Sequence, residues 1–254
     1  MTETLFSATA VATGSEPLRI HVDVVRSARR RNLAVHVSAR GEVQVRAPLR
    51  APDALITRFL DTHRDWIQRK VADALRQPPW QPAWRAGGEW FWRGERVVFV
   101  AGGPRGGSLL DGQLALPLRP DDDAARWQRA VLNWHRREAG VLLAARAEEL
   151  FAEHAAPHRL AKVEFRWMRA TWGTCGGKRG SDKRRDVVLR LNPWLAALPP
   201  HLSDAILLHE LAHVEHMNHG AGFYRRLADI NPQWREHDRE LRPWARRLLP
   251  LMTS

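Results

Sequence analysis

His201–Gly220 reads HLSDAILLHELAHVEHMNHG, and the fold turns on how this stretch is interpreted. Inside it stands His209-Glu210-Leu211-Ala212-His213, an HExxH pattern in apolar, helix-compatible surroundings. Asp204, Ile206, Leu207, Leu208, Leu211 and Val214 follow one amphipathic helix, predicted over Asp204–His216. Pro199-Pro200 stops whatever precedes it, and Ser203 or Asp204 can cap its first turn. Helical spacing puts His209 and His213 one turn apart on one face, so both imidazoles can reach one ion. Glu210 lies about 100° round the helix, where its carboxylate can reach a water on the metal rather than the metal itself.

A tetrahedral catalytic zinc takes a third protein ligand and keeps one position open. Glu215, His216, His219 and the later His237 are the candidates. On a straight helix His216 sits about 10 Å along the axis from His209, too far for three side chains to close on one ion. Glu215 points elsewhere. His219 follows Met217-Asn218 and precedes Gly220, residue types that let a helix end and the chain turn back. A ligand past that turn approaches from the side. The expected set is therefore His209, His213 and His219 around one Zn2+, with Glu210 catalytic and His216 beside the site. The chain holds 12 histidines, and two of them in an apolar helix can equally be core residues. The turn and the extra histidine argue for a metal.

A chain of 254 residues can bury a full core in one domain or two. Cys175 is its single cysteine, which excludes an intrachain disulfide and a cysteine-rich zinc knuckle and suits a reducing compartment. The opening MTETLFSATAVATGSEP lacks the basic start and apolar run of a signal peptide, and no segment reaches the ~18 apolar residues of a membrane span. The expectation is a soluble cytoplasmic protein without membrane association. The formal charge of +12 permits non-specific association with nucleic acid, but its arginines are spread over RSARRR, GGKRGSDKRR and PWARR in a chain also rich in Ala and Pro.

From Leu18 the alternation of Leu18, Ile20, Val22 and Val24 with polar residues predicts a strand. Asn32–Val37 and Val43–Ala47 follow closely enough to suggest an antiparallel meander. Pro52–Gln77 reads as one helix capped by Asp53, with Trp66 in its core face. Glu89–Arg93, Val97–Val100 and Leu114–Leu118 form a second set of strands. Gly-Gly-Pro-Arg-Gly-Gly lacks the Walker lysine and the Rossmann spacing, so it reads as a mobile turn. Asp121-Asp122-Asp123 places negative charge before a long helix, Ala124–His154. Lys162–Met168 is a strand leading into Thr171-Trp172-Gly173-Thr174-Cys175. A glycine-containing break follows, then the strand Asp186–Leu191, which could be the edge strand of the metal domain. Trp172 and Cys175 shape the turn beside the site. Helices follow Gly220 and cover Trp234–Trp244. The expected division is a tail over 1–17, a β-rich domain with one helix over 18–120, and an α+β metal domain over 121–254.

TWGTC, DVVLRLNPWLAALPP, HELAHVEHMNHGAGFY and NPQW in this order resemble the YgjP-like, SprT-related zinc metallopeptidases. The N-terminal RSARRRNLAVHV, VRAP and DWIQRK fit the same family, so the resemblance covers roughly Leu18 to Trp244. It implies a zincin-like fold, with metal ligands at His209, His213 and His219 and a catalytic glutamate at Glu210. Thr171 stands where the family often has Arg, and Thr174 where it often has Ser.

The expected activity is hydrolysis of peptide bonds in peptides or unfolded proteins by a metal-activated water, with Glu210 taking its proton. Tyr224, His216 and His237 are candidates for a second oxyanion donor, although Tyr224 beside Phe223 reads rather as packing. One alternative is a metal-dependent hydrolase of non-peptide amides or esters. Another is a nucleic-acid-binding module with structural zinc, which would need a closed fourth ligand position.

Overall fold

A computed structural model describes residues 20–38, 41–76, 80–168, 171–180 and 184–252. The expected tail over 1–17 and the start of the first strand at Leu18 lie outside these residues. The chain divides into two units, Met1–Trp80 and Gln81–Ser254.

In the first unit, β1 (Val22–Ser27), β2 (Ala34–Val37) and β3 (Val43–Pro48) precede α1 (Asp53–Thr62) and α2 (Arg64–Arg76). The expected meander is not what forms. The order is β1-β3-β2, with β1 parallel to β3 and β2 antiparallel to it. Alternation decides which face of a strand is buried but not which strand lies beside it. The centre goes to the strand whose inward residues need most cover: Val43, Val45 and Ala47 are at most 2% exposed. Ile56, Leu60, Ile67 and Val71 complete this core. The single helix expected over Pro52–Gln77 is broken at His63, whose ring nitrogen Nδ1 lies 2.8 Å from the Phe59 carbonyl oxygen. Trp66 is 38% exposed rather than core. Pro52, not Asp53, occupies the cap, and Asp53 pairs with Arg26 instead.

The second unit holds β4 (Glu89–Trp92), β5 (Glu95–Val100), β6 (Ser108–Leu110) and β7 (Gln113–Ala115), in the order β4-β5-β7-β6. These strands belong with the HExxH helix, whereas the sequence places the boundary after them, near Pro120. The reason is side-chain packing onto α3 (Ala124–His154). Trp92 lies 4.8 Å from Trp134 and Phe99 6.1 Å from Trp127, ring centre to ring centre. Asp123 caps α3 by accepting from the Arg126 N–H at 2.8 Å.

His135 on α3 is fully buried among these rings. Its Nδ1 accepts from the Trp90 indole at 2.9 Å, and its Nε2 lies 2.9 Å from the Pro193 carbonyl oxygen. Burial pushes its pKa down to about 4, so the ring is neutral with its proton on Nε2. Pro193 opens a short 3-10 turn, Pro193–Ala197, which feeds α4 (Pro200–Ala212). The β4–β5 turn grips the same segment, with Arg93 N–H donating to Ala196 O at 2.7 Å and Gly94 N–H to Ala197 O at 3.0 Å. Gly94 has φ +85°, and a Cβ there would stand 2.9 Å from Pro199, so both the turn and its approach require glycine.

β8 (Arg159–Phe165), β9 (Gly173–Arg179) and β10 (Arg185–Leu191) form a second sheet in the order β8-β10-β9. Two expectations change here. Gly173–Arg179, read largely as a glycine-containing break, is a full strand antiparallel to β10. β10 is therefore the interior strand, and β8 and β9 are the edges among the described residues, β9 being the one beside the site. The remaining elements are α5 (Ala221–Ile230) and α6 (Trp234–Met252). The molecule is thus an α+β protein with a β-rich N-terminal region and a C-terminal helix that carries the HExxH pattern. No helix among the described residues is long and apolar enough to cross a membrane.

Candidate metal centre

The site begins with the anchoring of α4. Pro200 takes the first helical position after Pro199, where its missing N–H costs nothing. Neither Ser203 nor Asp204 serves as a cap. The buried Ser203 hydroxyl donates to Leu195 O at 2.7 Å, tying α4 to the preceding turn. Asp204 receives two bonds from Arg146 of α3, both at 3.0 Å, a fork that sets the helix against its neighbour.

α4 stops at Ala212, earlier than the predicted His216, and His213 stands at its C-cap. The chain then turns back, and His219 arrives beside His209 from outside the helix. Ligand nitrogens of His209, His213 and His219 lie within 4.8 Å of one another. The His209 and His219 Nε2 atoms are 3.2 Å apart. His213 Nδ1 is 3.0 Å from the His216 carbonyl oxygen, so it donates there and leaves Nε2 as the free lone pair. All three rings rest on Phe223 of α5, which is wholly buried, at 4.6–4.9 Å between centres.

Electrostatics suit a cation. Burial and then the neighbouring His213 and His219 push His209 down to about 4, and burial also lowers His213. Neutral imidazoles present lone pairs at neutral pH, and three nitrogens with a side open to a cleft match a catalytic rather than a closed structural set.

The other histidine and acid candidates lie elsewhere. Glu215 pairs with Arg226 at 3.1 Å. The His216 ring covers Gly222, where a Cβ would meet it at 2.8 Å. His237 lines the cleft from α6 and packs on His201 at 5.7 Å. Tyr224, read as packing, is 43% exposed on the cleft wall, stacked on Trp234 at 5.2 Å.

Glu210 is 6% exposed, and burial raises its pKa to about 7 against the opposing Cys175 backbone N–H. Its side chain lies against the start of β9. A Cβ on Gly173 would stand 2.9 Å from Glu210 Cγ, so glycine is what lets the carboxylate lie there. Burial, reinforced by Glu210, pushes the Cys175 thiol up to about 12, so it stays protonated and is no nucleophile. Asn192 holds β9 in register with the site. Its Nδ2 donates to Met168 O and Thr171 O at 2.8 and 3.1 Å, and its backbone N–H to Trp172 O at 2.8 Å. Asn-Pro reads locally as a turn, so nothing in the sequence distinguishes this bracing role. Gly173 carried a faint signal in its place within TWGTC.

The imidazoles open into a cleft of about 610 Å³, bounded by Thr171–Cys175 on one side and by α5 and α6 on the other. A family model described as YgjP-like, metallopeptidase domain, matches residues 31–243. The chain belongs to the YgjP-like metallopeptidase family. The YgjP-like match spans both units and includes every residue of the cleft. Comparisons with curated proteins and with solved structures found no significant match.

Proposed function

We propose that this YgjP-like protein hydrolyses peptide bonds with one Zn2+ held by His209, His213 and His219, and with Glu210 as general base. The convergence of three imidazoles beside a buried carboxylate carries this reading. Bound zinc would supply Lewis acidity and a lowered pKa for a coordinated water. Glu210 takes the proton of the attacking water and returns it to the leaving amine, a shuttle favoured by a pKa near the working pH. Gly173 and the Cys175 N–H orient its carboxylate. His213 keeps its lone pair on Nε2 by donating from Nδ1. Tyr224 lines the same cleft with its ring 6.4 Å from that of His219, and it would face a developing oxyanion.

The substrate is an extended chain. β9 pairs with β10 on one edge and with no other strand among the described residues, and its first residues border the cleft. An unfolded segment can add to that edge by backbone hydrogen bonding, as a folded one mostly cannot. The exposed Arg29, Arg31 and Arg50 support a further, non-specific and salt-sensitive attraction to nucleic acid. A lone, half-buried thiol suits a reducing, cytoplasmic setting.

The test is digestion of unfolded casein by the purified full chain. Cleavage should vanish on chelation, return with zinc, and be lost in Glu210→Gln at unchanged zinc content. Undiminished cleavage by zinc-loaded Glu210→Gln would rule out the mechanism.

A further inference from the structure

The cleft continues past the imidazoles along α4. Leu202, Ala205, Ile206 and His209 recur at helical spacing and share a face with His213. Opposite them α6 presents Trp234, His237, Asp238 and Leu241, again at helical spacing. The floor between the two stripes is apolar, Leu202 and Ile206 being 1% and 7% exposed. From His209 to Leu202 it runs about 10 Å, at ~1.5 Å per residue. Two contacts bridge α4 and α6 at the far end. The His201 ring lies 5.7 Å from that of His237, and His201 Nε2 is 2.9 Å from Glu240 Oε1.

We infer that this trough is the side-chain pocket of the site and selects a large apolar residue (Leu, Met or Phe) next to the scissile bond. The inference rests on the peptidase reading above. A trough bridged at its end admits a side chain, not a continuing backbone. Filling it with an apolar group removes apolar surface from water on both partners. A glycine would leave it wet. A lysine would gain little from Asp238, whose carboxylate already pairs with Arg242 at 2.9 Å. Ala205 is small and half-buried in the stripe nearest His209, so a larger residue there would occupy the pocket itself.

Metal-binding hydroxamates with Phe, Leu, Gly or Lys side chains serve as probes for the zinc-loaded full chain, with affinity read by calorimetry. Phe and Leu should bind on the order of 10–100-fold tighter than Gly, with Lys no better than Gly. Ala205→Leu should remove most of that preference. Leu241→Ala, which enlarges the pocket and stands as the second variant if Ala205→Leu does not fold, should extend it to a naphthyl side chain. Cleavage sites mapped by mass spectrometry in digested casein should be enriched in large apolar residues on one side of the bond. Hydroxamate affinity indifferent to the side chain, or cleavage without apolar enrichment, overturns the pocket and leaves the peptidase reading standing. Side-chain-dependent hydroxamate affinity without any peptide cleavage supports the pocket and overturns the peptidase reading instead.

Discussion

Glu210→Gln should make the metal-free protein more stable while removing its activity, and the gain should depend on pH. The carboxyl has an ordinary value of 4.5 and is raised to about 7 by burial in the fold. Between these two values the unfolded chain has released its proton and the folded chain retains it. The folded state then binds more protons, so stability falls as pH rises from about 4.5 to 7 and levels off above. At about 1.36 kcal/mol per pH unit, the full effect is roughly 3 kcal/mol. Glutamine keeps the shape and carries no charge, so Glu210→Gln should be more stable than wild type by about 2–3 kcal/mol at pH 8. That advantage should shrink to near zero at pH 4.5. The assay is urea unfolding of chelator-stripped protein at both pH values, followed by tryptophan fluorescence. That signal reports the unit bearing the site, since only Trp66 and Trp80 of the 12 tryptophans lie outside Gln81–Ser254. A stability difference that is the same at both pH values would refute the argument that burial holds the carboxyl neutral. In the zinc-loaded enzyme the same substitution should lower kcat by about 10²–10⁴-fold, since a positioned base is lost.

His219→Ala should weaken zinc binding severely in competitive titration, because it removes one of three converging nitrogens; full-affinity binding would discard His219 as a ligand. Gly173→Ala should cut kcat by about tenfold or more at unchanged zinc content, since its Cβ would stand 2.9 Å from Glu210 Cγ and move the carboxylate. A parallel loss of zinc would show that the strand, not the base, was disturbed. His135, neutral at neutral pH and lowered to about 4 by burial, should cost the fold stability as pH drops from about 6.5 towards 4, where the unfolded chain takes up a proton that the folded one refuses. The loss is roughly 3 kcal/mol in all, and a His135→Gln variant, although less stable throughout, should lack that component of the slope in urea unfolding between pH 7 and 4.

The sequence alone was enough to find the HExxH helix, the return of His219 towards His209 and His213, the long helix Ala124–His154 and the α+β character. Each of these is written locally, in helical periodicity, in acidic residues before α3 and in an Asn and a Gly before α5. The end of α4 was not so written. His213 leaves the helix as its C-cap and donates to the His216 carbonyl, a bond that exists only once the turn has closed.

What the tertiary structure alone decided concerns neighbours. Three glycines hid β9, because a strand with few side chains has no alternation to detect, and its pairing with β10 made Gly173–Arg179, not Asp186–Leu191, the edge strand beside the cleft. The same holds for the boundary. The strands before Pro120 share no local mark with the metal helix, yet their tryptophans pack on α3, and their turn bonds the segment that feeds α4. Asn192, Asp204 and Gly173 act on the site through partners distant in the chain. Periodicity tells which face of an element is buried; which element covers it depends on shape and hydrogen bonding across the whole fold.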